Sequence, residues 1–267
     1  MTYAKTAADL TVDLPSSGTK MPLLGLGTWQ LRGSACRHAV GWALEVGYRH
    51  IDTATMYGNE SEVGAAMAAS GLDRADVFVA TKMPPERVGG RELRTLQDSL
   101  RALGTEYVDL WLVHWPPRGG TGVSAWRAFI QAQREGLARA IGVSNYSISQ
   151  IDQLTEETGV TPAVNQIRWS PFLYDPQVAE ASRRRRVVLE GYSPFKAGRL
   201  EHPVIVEIAR RYGKTPAQIV VRWHLQHEFV VIPKSARRER IVENADVFDF
   251  QLTAADLEAL DGLSRSR

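Results

Sequence analysis

The chain has 267 residues, 44% of them hydrophobic, a formal net charge of +2 and a single cysteine, Cys36. That composition fits a globular protein with a substantial core. The near-balanced charge gives no case for nucleic acid, no window approaches the ~18 uninterrupted apolar residues of a membrane helix, and one cysteine cannot close an internal disulfide, which points to the reducing cytoplasm.

Met1–Ser17 lacks the apolar core and cleavage site of a secretory signal, in keeping with a cytoplasmic location. Thr11–Leu14 and Thr19–Leu23 flank a turn, Pro15-Ser16-Ser17-Gly18, and predict a hairpin able to plug the base of a barrel. Eight short apolar runs then follow: Leu23–Gly27, Tyr48–Asp52, Val77–Lys82, Val108–His114, Ala138–Asn145, Ala163–Gln166, Val187–Tyr192 and Val230–Lys234. They are near-continuously apolar, as buried parallel strands are. Amphipathic stretches separate most of them. Leu93, Leu96, Leu100 and Leu103 form one helical stripe, stopped by Gly104. Ser147 with Gln150 forms a capping box ahead of Ile148, Ile151 and Leu154. Arg183–Arg186 reads as a solvated helix end. Ile205, Ile208, Ala209 and Tyr212 form another stripe ended by Gly213, and Thr215-Pro216 starts the next helix. Thr253 with Asp256 opens a last one carrying Leu257 and Leu260. Eight strands alternating with helices predict a single α/β domain over residues 1–267: a (β/α)8 TIM barrel with an N-terminal β-hairpin. An open doubly wound sheet is the alternative, but its ligand sits at one switch point rather than over every strand end.

Seven of the runs end on polar residues, and a barrel gathers those ends at its C-terminal mouth. Asp52, Lys82 and His114 close three of them, and Tyr57 lies five residues past the first. A lysine beside a tyrosine stabilises phenolate and is expected to draw the phenol pKa down from about 10. A carboxylate beside the lysine keeps the ammonium charged, and a histidine can orient a substrate oxygen. The four read as a proton donor facing a carbonyl. Ser144, Asn145 and Gln166 suit a carboxamide, and Tyr192 suits a flat ring. Lys234-Ser235, then Arg237, Arg238 and Arg240, then Glu243-Asn244, run from a strand end into a helix start, where barrels bind phosphate. A carboxamide, a flat ring and a phosphate together suggest a nicotinamide dinucleotide. The Rossmann fingerprint is missing, since no third glycine completes Gly25-Leu26-Gly27. The dinucleotide is therefore expected to lie extended across the mouth.

These segments resemble those of the aldo-keto reductases, closest in type to bacterial 2,5-diketogluconate reductase-like members. The resemblance rests on Met21–Trp29, Gly47–Ala54 with Tyr57-Gly58-Asn59-Glu60, Leu112–Pro116, Gly142–Tyr146, and Ile232–Ser235 followed by Arg240–Asn244. It implies an NADPH-dependent carbonyl reductase without a metal. Tyr57 would be the general acid, tuned by Lys82 and Asp52, with His114 orienting the carbonyl. Ser144, Asn145 and Gln166 would hold the carboxamide under a ring stacked on Tyr192. Lys234, Ser235 and Arg240 would take the 2′-phosphate and Asn244 the adenine, while Gly27, Thr28 and Ser193 would complete the cofactor site. Trp29 and Trp115 would wall the substrate with Tyr57 and His114. Arg168-Trp169-Ser170-Pro171 and Phe195-Lys196 depart from the common pattern, and the short loop Trp115–Gly122 and tail after Leu263 imply an open pocket.

Two other readings compete. A nucleotide-sensing subunit on the same barrel would have little use for an intact acid set. A metal-dependent hydrolase would use His50, Asp52 and His114, but it lacks a third strong ligand and has no need of Lys82. A small carbonyl substrate, no nucleic-acid or membrane partner, and a monomer are the expectations.

Overall fold

The computed structural model describes residues 6–15, 17–195 and 200–265; Ser16 of the expected turn and Lys196 of the Phe195-Lys196 pair lie outside these. The hairpin forms as expected, β1 (Thr11–Leu14) antiparallel to β2 (Thr19–Pro22), with Leu14 facing Thr19. Leu14 and Met21 are fully buried, so the hairpin seals one end with apolar side chains.

Eight parallel strands follow in one sheet: β3 (Leu26–Gly27), β4 (His50–Asp52), β5 (Phe78–Met83), β6 (Val108–Val113), β7 (Ala138–Ser144), β8 (Val164–Arg168), β9 (Val188–Tyr192) and β10 (Val230–Val231). Every neighbour in the sheet is the next in sequence. A bridge between Leu24 and Val231 joins the first strand to the last and closes the ring. The eight lie within or overlap the expected runs, and the largest differences are at the seam. There β10 is cut to two residues, because Pro233 has no N–H to offer a ladder. Its carbonyl still accepts from Gly27 N–H at 3.2 Å, so pairing persists beyond the regular strand.

Ten α-helices surround the sheet among the described residues, α1 (Gly33–Glu45), α2 (Glu60–Ala69), α3 (Glu92–Leu103), α4 (Val123–Arg134), α5 (Ile148–Thr158), α6 (Pro176–Arg184), α7 (Pro203–Tyr212), α8 (Pro216–Gln226), α9 (Arg238–Ala245) and α10 (Ala254–Asp261). Helices α5, α8 and α10 start at Ser147, Thr215 and Thr253 as the sequence predicts, and all three starts are capping boxes, the one at Thr215 with Gln218 adding to the expected proline. The arginine run ends α6, with Arg185 paired to Asp152 at 2.7 Å. No described helix is long and apolar enough to cross a membrane.

The seam explains the glycines of Gly25-Leu26-Gly27. A Cβ on Gly25 would lie 2.5 Å from Nδ1 of the fully buried His50, and one on Gly27 would lie 2.8 Å from the Ile232 carbonyl oxygen. Close strand approach, not phosphate binding, requires them. Gly25→Ala is expected to cost about 1–3 kcal/mol of stability through overpacking against a ring that cannot swing away. A drop in the denaturant midpoint at unchanged slope checks this.

Candidate active site

The chemistry assembles because alternate residues of a strand share a face. His50 and Asp52 of β4 both turn inward, as do Lys82 of β5, Gln166 of β8 and Glu190 of β9, and all five are buried. Lys82 Nζ donates to Asp52 Oδ1 and Oδ2 at 2.6 and 2.7 Å and to the Thr53 carbonyl at 2.8 Å. Tyr57 ends a short 3₁₀ turn (Thr55–Tyr57) over β4, and its hydroxyl lies 3.5 Å from the same ammonium. The His114 ring packs edge-on against the Tyr57 ring, centroids 5.7 Å apart. The four expected residues therefore meet. Asp52, Tyr57 and His114 line a cavity of about 610 Å³, and Lys82 is fully buried behind them.

The amide set meets in the same cavity. Ser144 Oγ donates to the Gln166 carbonyl at 2.8 Å and accepts from Asn145 Nδ2 at 2.9 Å. Asn145 Nδ2 also donates to the His114 carbonyl at 3.2 Å, and Asn145 Oδ1 accepts from the Tyr192 hydroxyl at 2.9 Å. Gln166 Nε2 donates to Asp52 Oδ1 and Glu190 Oε2 at 2.8 and 2.9 Å. Asn145 and Ser193, each just past a strand end, have φ of 63° and 52°. Such left-handed backbone in residues other than glycine concentrates at functional sites.

Lys234 and Phe195 line this cavity and also a second one of about 340 Å³, so the two form one tract along the rim. The second is lined by Ser235, Arg240 and Asn244 as well. Arg238 points elsewhere, donating to Glu45 at 2.9 Å. Trp29 and Trp115 stand about half exposed at the first cavity, with Met56 beside them. Asn59 Nδ2 pins the Trp29 segment by donating to the Thr28 and Leu31 carbonyls at 2.9 and 3.0 Å. Thr28 lies behind the wall, its hydroxyl donating to the Asp52 carbonyl at 2.9 Å. Gly27 and Ser193 are in the wall. Among the described residues no group of acidic, histidine or cysteine side chains is arranged to hold a metal; His50 sits at the base and His114 at the mouth.

The sequence model described as the Aldo/keto reductase family matches residues 23–265. The chain belongs to this family. It is 47% identical over 247 residues to an aldo-keto reductase of Mycobacterium tuberculosis, covering 91% of this chain and 88% of that one. Methylglyoxal reductase DkgA of Escherichia coli is 42% identical over 264 residues, covering 97% and 96%. Among solved structures, an aldo/keto reductase from Brucella melitensis superposes with a TM-score of 0.91 at 42% identity, covering 95% of this chain and 97% of that chain. Bombyx mori aldo-keto reductase in complex with NADP gives 0.89 at 33% identity, covering 95% and 92%.

The electrostatics of this aldo/keto reductase differ from the sequence expectation at one point. Burial pushes the Tyr57 phenol above its ordinary value; Lys82 pulls it down, but less strongly, and Asp52 adds to the rise. A count of charges alone misses the desolvation that dominates. Lys82 is held above the usual lysine range: burial works against the ammonium, and Asp52 more than offsets it together with Tyr57. Burial, then the Lys82 charge, lowers His114 to about 3, so it is a neutral imidazole. Its Nδ1 is sealed off without a partner, and a proton on Nε2 strands no N–H.

Sequence reasoning passed over Glu190 and Met56, and met Arg168 and Phe195 only as departures from the family pattern, with no place in the site. Arg168 stands two residues beyond Gln166, on the same face of β8, and lines the cavity. Glu190 was detectable as a carboxyl inside an apolar run, where burial demands a partner or a proton. Burial, then the Asp52 charge, raises it to about 8. The native state thus keeps a proton that the unfolded chain releases above about pH 4.5. The stability this contributes is complete below that pH and declines until the pH passes about 8. Glu190→Gln removes the titration. Between pH 5 and 8 the wild type should lose stability relative to the variant by up to about 1.4 kcal/mol per pH unit, measured by denaturant unfolding at each pH.

Proposed function

We propose that this chain is an NADPH-dependent carbonyl reductase with Tyr57 as general acid. The observation that carries the reading is the run Asp52–Lys82–Tyr57, an ion pair at 2.6 Å with a phenol 3.5 Å beyond it, opening on the cavity beside His114. Support for the cofactor comes from the donor set. The Gln166 amide has an oxygen not held by Asp52 or Glu190, Tyr192 offers a half-buried ring, and Lys234 and Arg240 offer cations along the continuous tract. These residues fit a carboxamide, a planar ring and a phosphate monoester in that order along the rim. The NADP bound by the Bombyx mori relative agrees with that assignment.

When bound, the reduced nicotinamide supplies the hydride for the carbonyl carbon. The chain's own residues handle the proton. His114 Nε2–H donates to the carbonyl oxygen and fixes it near the Tyr57 hydroxyl. Tyr57 delivers its proton to that oxygen as negative charge develops there. The phenolate left behind is stabilised by Lys82, which Asp52 keeps charged, and it recovers a proton from solvent. The phenol is protonated when the carbonyl arrives, as a general acid must be. Ser144 and Asn145 brace His114 and Tyr192, and Ser235, Asn244 and the main chain at Gly27 and Ser193 complete the rim. Thr28 acts through the Asp52 backbone. Trp29, Met56 and Trp115 give an open apolar entrance suited to small reactive aldehydes and dicarbonyls, in keeping with the methylglyoxal reductase relative. We read the protein as one barrel domain acting as a cytoplasmic monomer.

Tyr57→Phe should lower kcat/KM for methylglyoxal by 10² or more, roughly the range of general acid catalysis, while fluorescence titration shows NADPH still binding. A phenylalanine variant that turns over at near wild-type rate rejects the assigned acid. Arg240→Ala should weaken NADPH about tenfold or more, the size of a charge-assisted phosphate contact, and leave NADH little changed. Equal losses for the two cofactors would reject the phosphate assignment.

A further inference from the structure

Glu190 and His50 lie under the catalytic residues, fully buried, and the reaction as described has no use for either. A primary amide has two N–H donors and one carbonyl oxygen. In Gln166 the nitrogen meets a carboxyl on each side, Asp52 Oδ1 at 2.8 Å and Glu190 Oε2 at 2.9 Å. The ionised Asp52 can only accept, and Glu190 Oε2 accepts when its proton is on Oε1, so the nitrogen faces both and the orientation of the amide is dictated by its neighbours. Asp52 alone would be a weak guide, since the same Oδ1 already takes Lys82 at 2.6 Å. Glu190 supplies the second point of attachment, and the two residues are direct partners in the β8–β9 register.

Glu190 is fixed in its turn. Its Oε1 lies 3.6 Å from His50 Nε2, and neither atom has a hydrogen-bond partner among the described residues. The other ring nitrogen, Nδ1, lies 3.3 Å from the Pro22 carbonyl, which can only accept. The proton of a neutral His50 therefore belongs on Nδ1, and Nε2 is an acceptor. A proton on Glu190 Oε1, directed at Nε2, gives both atoms a counterpart. In that form Glu190 presents a donor to His50 and an acceptor to Gln166, and the NH₂ and carbonyl of a glutamine amide can present the same two groups.

We propose that Glu190 is a positioning residue that fixes the Gln166 amide with its oxygen toward the mouth, poised to accept an N–H from the carboxamide of a bound nicotinamide. The proposal rests on the NADPH reading above. It assigns to the pair His50–Glu190 a task in cofactor recognition that a filler of the barrel interior would not have.

The test compares NADP⁺ with its 3-acetylpyridine analogue, in which a methyl group replaces the carboxamide NH₂. Dissociation constants are read by tryptophan fluorescence, without turnover. Glu190→Met keeps the volume and removes the anchor. It should weaken NADP⁺ about tenfold, the worth of one hydrogen bond to a well-placed amide, and the analogue by less than twofold, because the analogue has no N–H to lose. Glu190→Gln should restore NADP⁺ binding to within about twofold of wild type, since its NH₂ keeps a donor toward His50 and its carbonyl an acceptor toward Gln166. Equal losses for both dinucleotides in the Met variant would overturn the proposal and make Glu190 a packing residue. Failure of the Gln variant to restore binding would overturn it as well. If the Met variant does not fold, Glu190→Thr, too short to reach Gln166, takes its place in the same comparison. Wild-type protein that binds neither dinucleotide would instead defeat the NADPH reading, so the two failures are distinct.

Discussion

The ion pair between Lys82 and Asp52 is the constraint around which the rest of the interior is arranged. Two opposite charges with almost no solvent contact pay a large desolvation cost, and apolar residues of equal volume would often leave a barrel equally stable. The pair is therefore weak evidence for stability and strong evidence for chemistry. Its geometry also dictates its neighbours. Lys82 directs its ammonium at the Thr53 carbonyl and the Tyr57 hydroxyl, so the phenol position follows from the strand register of β4 and β5. Asp52 in turn holds Gln166, and through it the ion pair reaches across the barrel to β8 and β9.

Much of this was legible in the residues. The runs that close on Asp52, Lys82, His114, Ser144 and Gln166 place those groups at one rim once they are read as consecutive parallel strands. The helix boundaries were equally plain where a cap is written in the chain, as at Ser147 with Gln150 and at Gly104, whose φ of 66° ends α3. What stayed hidden has a common physical origin. Glu190 sits in the middle of an apolar run, and a reading that attends to strand ends passes over it. Its partner Gln166, 24 residues away, comes from the neighbouring strand, while His50, 140 residues away, is brought to it only by the closed ring. The direction of the Tyr57 shift was misjudged for a related reason. The sequence displays the charges that will gather but not the degree to which water is removed from them, and desolvation is the larger effect.

The amide residues illustrate how little of a polar side chain is left for a ligand once the protein has taken its share. Asn145 is tied to His114, Ser144 and Tyr192, and Ser144 to Gln166. These bonds hold the His114 main chain and the Tyr192 hydroxyl, and the left-handed backbone at Asn145 turns the chain between them. Gln166 differs because its nitrogen is directed inward by two carboxyls and its oxygen is the remaining group. Preorganisation of this kind lowers the entropy lost on binding and fixes orientation before the ligand arrives.

The N-terminal hairpin has a role beyond closing the base. Its last residue, Pro22, presents a carbonyl to His50, and His50 meets Glu190, which meets Gln166, which meets Asp52 and Lys82. A column of polar side chains thus runs the height of the barrel through an otherwise apolar interior, with a 3.6 Å gap between His50 and Glu190 and its lower end in the first two dozen residues. The acceptor that sets the His50 tautomer is therefore a main-chain carbonyl of the hairpin, which puts the floor of the barrel in the same column of polar groups as the residues at the mouth.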